Sequence, residues 1–326
     1  MFRSKNILIT GGCGFIGSNY IDFLFKNYHE INVYNVDSLT YASDINFNKK
    51  HTNNPRYRFF ESDICDKNFI NKIFEDFSID GVINFAAESH VDNSILNPGI
   101  FVKTNILGVQ NLLDICLNNW MDNLYNVKIG YEHARFHQVS TDEVYGSILE
   151  GSFLETSPYL PNSPYSASKA SADMLVRSYN KTYGLNTTIS ISSNNFGKNQ
   201  NQEKLIPKLI KCIKSETFFP LYGDGKNVRD WIYVMDNCKA IDLIFNNSPS
   251  GESYNIGGGN EYSNIDLIKL IYKISGKQEK IKLIKDRYGH DKRYSINSDK
   301  IKNKLNWKNN YDFIEELSSY VLLNLK

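Results

Sequence analysis

The chain has 326 residues, 41% hydrophobic and 22% charged, enough apolar material for one large α/β unit or two smaller lobes. A formal charge of +1 gives no net field to draw nucleic acid, although a local basic pocket for a small phosphorylated ligand is compatible with it. Cys13, Cys65, Cys116, Cys212 and Cys238 are scattered without a C-x-x-C spacing, no secretory leader is evident, and no uninterrupted apolar run nears the ~20 residues of a membrane span. These features describe a cytoplasmic protein with reduced thiols, no membrane insertion and no bound metal.

In chain order, short apolar runs at residues 7–10, 31–36, 57–60, 81–85 and 135–140 read as strands with helices between them. Strands apolar on both faces and linked by helices form a parallel sheet covered on each side, so the expected fold is an α/β, Rossmann-type doubly wound sheet. The first strand runs into Gly11-Gly12-Cys13-Gly14-Phe15-Ile16-Gly17, which opens a helix. Strand, glycines and helix in that order make a dinucleotide loop, because backbone lacking side chains can approach a pyrophosphate at a helix N-terminus. Asp37 ends the second strand about twenty residues later, where a carboxylate accepts ribose hydroxyls and repels a 2′-phosphate, favouring NAD over NADP. Asp63-Ile64 and Ala86-Ala87 follow the third and fourth strands at the same rim.

Helices over 98–117 and 164–183 and a strand over 187–193 complete an expected NAD-binding domain at 1–193, which carries the catalytic groups. The stretch 118–134 reads as a surface excursion. Beyond Asn194, shorter elements at 204–214, 236–245 and 265–274 suggest a smaller lobe at 194–326, mainly for substrate binding.

Tyr165 and Lys169 stand four apart at the start of the second long helix, after Pro164, and so share one face. An ammonium beside a phenol favours the phenolate, which would lower the tyrosine pKa toward the range of a general base. A partly buried aromatic with a solvated lysine is the plainer alternative. Thr141-Asp142-Glu143 closes the 135–140 strand, and a turn after Thr141 could bring both carboxyls to one substrate, one protonated and one ionised; solvated loop acids are the alternative. His133 and His137 have no further ligands near them in sequence and receive no role. Lys204, Arg229 and Arg293 are cations that could neutralise a diphosphate or simply lie on the surface.

Together these residues resemble the extended short-chain dehydrogenase/reductase superfamily. Ala86-Ala87-Glu88-Ser89-His90-Val91-Asp92, Ser140-Thr141-Asp142-Glu143-Val144-Tyr145-Gly146, Ser163-Pro164-Tyr165-Ser166-Ala167-Ser168-Lys169 and Asn227-Val228-Arg229-Asp230-Trp231 narrow the resemblance to the dTDP-glucose 4,6-dehydratases. It covers nearly the whole chain, and the Asp142-Glu143 pair separates it from the sugar-nucleotide epimerases. By this resemblance, Tyr165 would take the 4-hydroxyl proton while NAD oxidises C4, with Thr141 polarising the oxygen and Lys169 tuning the phenol. Glu143 would remove the C5 proton and Asp142 protonate the departing 6-hydroxyl. Ser89, Thr141, Asn194, Lys204, Leu205, Pro220, Tyr222, Arg229, Asn264, Arg287 and His290 would hold the nucleotide sugar. Thr104 and Asn195 would join Gly11, Gly14, Phe15, Ile16, Gly17, Asp37, Asp63, Ile64, Ala86, Ala87, Tyr165 and Lys169 around NAD.

The resemblance also implies a homodimer through the two long helices, dTDP-glucose as substrate, and a role in nucleotide-sugar biosynthesis. Asn93, Lys198 and Tyr288 depart from the family's usual arginine and two prolines without removing a catalytic group. An enzyme for another nucleotide sugar, whether dehydratase or epimerase, and a silent NAD sensor are the alternatives.

Overall fold

Seven strands of the structure, a computed structural model describing residues 3–286 and 288–326, form one parallel sheet. They are β1 (Asn6–Thr10), β2 (Asn32–Asp37), β3 (Tyr57–Glu61), β4 (Gly81–Asn84), β5 (Arg135–Thr141), β6 (Thr187–Ser192) and β7 (Ser253–Ile256). Their spatial order is β7-β6-β5-β4-β1-β2-β3, with every neighbouring pair parallel. The chain winds outward from β1 in both directions, and such a reversal opens a crevice at the strands' C-terminal ends. This is the doubly wound plan expected from the alternating pattern.

Both faces of the sheet are covered, which is why its strands read as continuous runs and not as an alternation. One core packs β1, β2 and β4 side chains with α1 (Phe15–Asn27) and a later helix through Ile7, Ile9, Tyr20, Ile21, Ile241 and Phe245. The other packs Leu8, Val82, Phe136, Leu112, Leu113, Trp120 and Val176 beneath α2 (Lys67–Phe77), α3 (Pro98–Trp120) and α4 (Pro164–Tyr183). Polar strand residues satisfy one another across the sheet: Thr10 meets Asn84, Asn84 donates to Gln138 at 2.8 Å, and His137 lies 2.9 Å from both Thr188 and Ser190. His137 is thus a pairing group of the sheet, while His133 pairs with Asp80 at 2.8 Å.

β7 was not anticipated. Its four residues sit between Gly251 and Gly257-Gly258 and read as loop, yet they pair with β6 and bury Tyr254 and Ile256. Although β7 lies within 194–326, it extends the sheet of the N-terminal half. The remaining C-terminal elements enclose a third core of Phe196, Leu209, Trp231, Leu267, Ile271 and Leu317. They include α5 (Leu205–Lys214) and, after α6 (Val234–Asn247), which packs on the first core through Ile241 and Phe245, α7 (Asn264–Ser275) and α8 (Phe313–Leu325).

Local signals set the two helices that frame the site. α4 starts where Ser163 and Ser166 form a reciprocal capping box before Pro164, and stops at Gly184 in the left-handed region, φ 76°. α3 widens to π-helical geometry over Val102–Leu107, where buried Asn105 bonds the Glu88 carbonyl at 3.0 Å and the Ser168 hydroxyl at 2.8 Å. At 23 residues, with a window of mean hydropathy 1.3, α3 is long and apolar enough to cross a membrane by length and composition. Its Val109, Leu112, Leu113, Cys116 and Trp120 are instead core residues of this fold.

Candidate active site

The first turn of α1 begins at Phe15 with Gly14 as its N-cap and no side chain over its end, so its N-terminal dipole faces the crevice unscreened. Gly11 adopts φ +70°, and a Cβ there would stand 2.6 Å from the Ala86 amide nitrogen. Gly17 packs as tightly, with its Cβ position 2.4 Å from the Gly11 carbonyl oxygen. The loop is therefore pressed against the end of β4 and leaves backbone open above it.

Asp37, buried at the end of β2, accepts from the Cys13 amide at 2.9 Å, the Leu39 amide at 2.9 Å and the Ser43 hydroxyl at 2.8 Å. Three of a carboxylate's roughly four acceptor positions are thus filled, leaving one for a ligand rather than two. Asp63 accepts from Cys65 at 2.9 Å and from Lys103 at 3.2 Å; against its burial, these bonds hold it below its ordinary pKa.

One cavity of about 1390 Å³ runs across these strand ends. Gly11, Gly14, Phe15, Ile16, Gly17, Asp37, Asp63, Ile64, Ala86, Ala87, Thr104 and Asn195 line one part of it. Ser89, Thr141, Asp142, Glu143, Tyr165, Lys169, Asn194, Lys204, Leu205, Pro220, Tyr222, Arg229, Asn264 and His290 line the rest. Arg287 lies outside the described residues. Arg293 is elsewhere, paired with Glu261 at 2.6 Å and absent from the cavity wall.

The carboxyl pair sits where β5 ends. Thr141 caps a short 3₁₀ turn, Asp142–Tyr145, and that turn brings Asp142 and Glu143 to the same cavity. Asp142 is 2% exposed, and burial, then the carboxylates of Glu143 and Asp230, push its pKa well above the usual range, with Arg229 opposing. Its protonated form is the one these surroundings favour. Glu143 is only half-buried, so two adjacent carboxyls occupy different surroundings.

Tyr165 departs from expectation. Burial, followed by the Glu143 carboxylate, drives its pKa up, with a hydrogen bond to Thr141 opposing. Lys169 does not lower it: its Nζ donates to the Val139 carbonyl at 2.7 Å, and burial holds the amine down at about 8, with Asp173 opposing. Spacing placed the two groups on one face but said nothing of desolvation, which governs both.

Among the described residues, the buried Oδ2 of Asp142, Oδ1 of Asn195, Oε1 of Gln200 and Nε1 of Trp231 have no hydrogen-bond partner, and all four residues line the cavity. Unmet buried groups of this kind call for a polar ligand. With the glycine cradle and Asp37, they fit a dinucleotide beside a second polar molecule.

Sequence reasoning passed over Tyr294 and Asp173. Tyr294 lines the cavity, donates to Asp291 at 2.7 Å and lies under the Arg229 guanidinium at 4.1 Å. It lies beyond Arg287 and His290, the last residues that the resemblance assigns to the nucleotide sugar. Asp173 is one turn beyond Lys169, a spacing visible in the sequence but not by itself distinctive.

Residues 8–319 match the family described as GDP-mannose 4,6 dehydratase. The chain belongs to that family. It is 44% identical to the low-salt glycan biosynthesis protein Agl12 of Haloferax volcanii, over 97% of each chain. It is likewise 44% identical to the dTDP-glucose 4,6-dehydratase of Haemophilus influenzae, over 97% of this chain and 96% of that one. Among solved structures, it is similar to DesIV, the dTDP-glucose 4,6-dehydratase of Streptomyces venezuelae with NAD and TYD bound. That similarity has a TM-score of 0.91 and 38% identity, over 97% and 96% of the two chains. The resemblance carried by the sequence motifs is therefore borne out at the level of family and fold.

Proposed function

We propose that this chain is an NAD-dependent hydro-lyase that converts dTDP-glucose to dTDP-4-keto-6-deoxyglucose. One observation carries the reading: beside Tyr165, the turn after β5 presents a buried Asp142, whose surroundings favour its protonated form, and a more exposed Glu143 to one cavity. Loss of water across C5 and C6 needs an acid and a base together, which a simple 4-epimerisation does not. The dTDP-glucose dehydratases among its relatives supply the substrate.

In this reading the N-terminal half, 1–193, carries NAD and the reacting groups, and 194–326 mainly holds the nucleotide. The glycine loop and the N-terminus of α1 bind the pyrophosphate of NAD, and Asp37 takes a ribose hydroxyl. When bound, NAD would supply reversible two-electron oxidation and reduction by hydride at the sugar. Tyr165 accepts the proton of the 4-hydroxyl as its phenolate, the form that burial and the Glu143 carboxylate work against, with the Thr141 hydroxyl bonded to the same oxygen. Glu143 then takes the C5 proton, acidified by the adjacent ketone, and gives it back to C5 once C6 has been reduced. Asp142 gives its proton to the 6-hydroxyl, which leaves as water. Arg229 and Lys204 balance the diphosphate, and Tyr222, Asn264 and His290 line the nucleotide end.

A substrate panel tests the assignment. Purified protein offered dTDP-, UDP- and GDP-glucose at equal concentration is expected to convert dTDP-glucose with the highest kcat/KM, and preference for another nucleotide overturns the substrate. Gly11→Ala is expected to weaken NAD binding at least ~10-fold in calorimetry, because its Cβ would strike the backbone of Ala86 and shift the loop. Unchanged affinity would remove the loop from the cofactor site.

We also infer a homodimer through α3 and α4 in a cytoplasmic protein. Exposed Ile100, Val102 and Leu107 of α3 and Met174 of α4 supply apolar surface, and the five cysteines are all unpaired. Light scattering should give twice the chain mass; a monomer would refute the pairing.

A further inference from the structure

Asp173 is 1% exposed on α4, one helical turn past Lys169, and the chemistry above makes no use of it. A carboxyl so placed is costly unless it is paired and hydrogen-bonded. Its Oδ2 accepts from the Ser140 hydroxyl of β5 and, at 3.3 Å, from the Tyr159 hydroxyl of the loop before α4. Its Oδ1 has no hydrogen-bond partner among the described residues. Lys169, on the same face of α4, donates to Val139, the β5 residue next to Ser140. Acid and amine are therefore each tied to β5, at adjacent residues, directly before Thr141.

We propose that Asp173 is a positioning residue for the reaction, the buried counter-charge that keeps Lys169 an ammonium where its own bond to Val139 holds it, on the Tyr165 face of α4. This rests on the catalytic roles proposed above for Tyr165 and Lys169.

The surrounding groups leave Asp173 this task. β5 offers only the Ser140 hydroxyl and the Val139 carbonyl. The loop and the 3₁₀ turn add the phenols of Tyr159 and Tyr145, and α4 adds that of Tyr165, all three of them pushed up. α3 contacts α4 here through Asn105 and Ser168, while its Lys103 turns away to Asp63. Among the described residues, Lys169 is the cation that lowers the Asp173 pKa, and Asp173 the charge that raises the Lys169 pKa. Burial alone raises the acid, which settles at about 6, and lowers the amine, which settles at about 8; near neutral pH both remain charged. Without the acid, burial acts on the amine unopposed, and the ammonium is lost at a lower pH.

Isotope labelling of the lysine ε-carbons reads the amines by NMR without any turnover, and Lys169→Met marks the resonance. In the unsubstituted chain that resonance is expected to titrate near about 8. Asp173→Asn should move it down by roughly 1 unit or more, the size expected for loss of a close opposite charge, and Asp173→Glu should restore it. The alkaline limb of the kcat profile should move with it, a change that a merely structural role would not produce. An unmoved titration in Asp173→Asn overturns the proposal. Should that variant fail to fold, Ser140→Ala keeps the carboxyl but removes its donor, and is expected to shift the resonance in the same direction by less; no shift again overturns it. If the unsubstituted chain yields no product from dTDP-glucose, the functional reading fails while the titration still reads the counter-charge.

Discussion

Glu143→Gln is expected to lower production of the 4-keto-6-deoxy sugar by ~10²–10⁴-fold, the usual contribution of a general base, while the first oxidation still proceeds. Tyr165, Thr141 and Lys169 are untouched by the change, so C4 can be oxidised, but the ketone then has no base to take the C5 proton. Bound cofactor should accumulate in its reduced form, visible in the absorbance of a single turnover. The amide keeps the shape of the side chain and removes the negative charge beside Asp142 and Tyr165, both of which that charge pushes up. Full turnover in the variant would take Glu143 out of the mechanism.

Tyr165→Phe is expected to cost a similar ~10²–10⁴-fold in kcat, but with no reduced cofactor at any time, since it removes the group that accepts the first proton. NAD affinity should change little, because the glycine loop follows β1 and Asp37 ends β2, away from α4. The two variants thus separate the steps by what each leaves in the site. Accumulation of reduced cofactor in Tyr165→Phe would mean that another group takes the 4-hydroxyl proton.

Features governed by neighbouring residues were legible in the sequence. The glycine loop, Asp37 at a strand end and the Ser163-Pro164 start of α4 are local signals, and the structure puts each where its signal indicated. Features created by tertiary packing were not. β7 is four residues between glycines and becomes a strand only because β6 offers an edge. The π-helical stretch of α3 follows from Asn105 reaching the Glu88 carbonyl and Ser168, contacts between distant segments.

The carboxyl pair shows the same division. That a turn could gather Asp142 and Glu143 follows from their adjacency to Thr141, but the Asp142 pKa is pushed up first by burial, then by Glu143 and by Asp230, nearly ninety positions later, which no local signal indicates. Tyr165 is the converse case: spacing pointed to a phenol eased by Lys169, and burial with Glu143 outweighs that influence.

The most direct test is the mass and NMR spectrum of the product formed when purified protein is given dTDP-glucose and NAD. A sugar nucleotide lighter by one water, with a ketone at C4 and a methyl group at C6, is the expected result. A product of unchanged mass with inverted configuration at C4 would contradict the account, because the Asp142-Glu143 pair would then stand beside the substrate without eliminating anything.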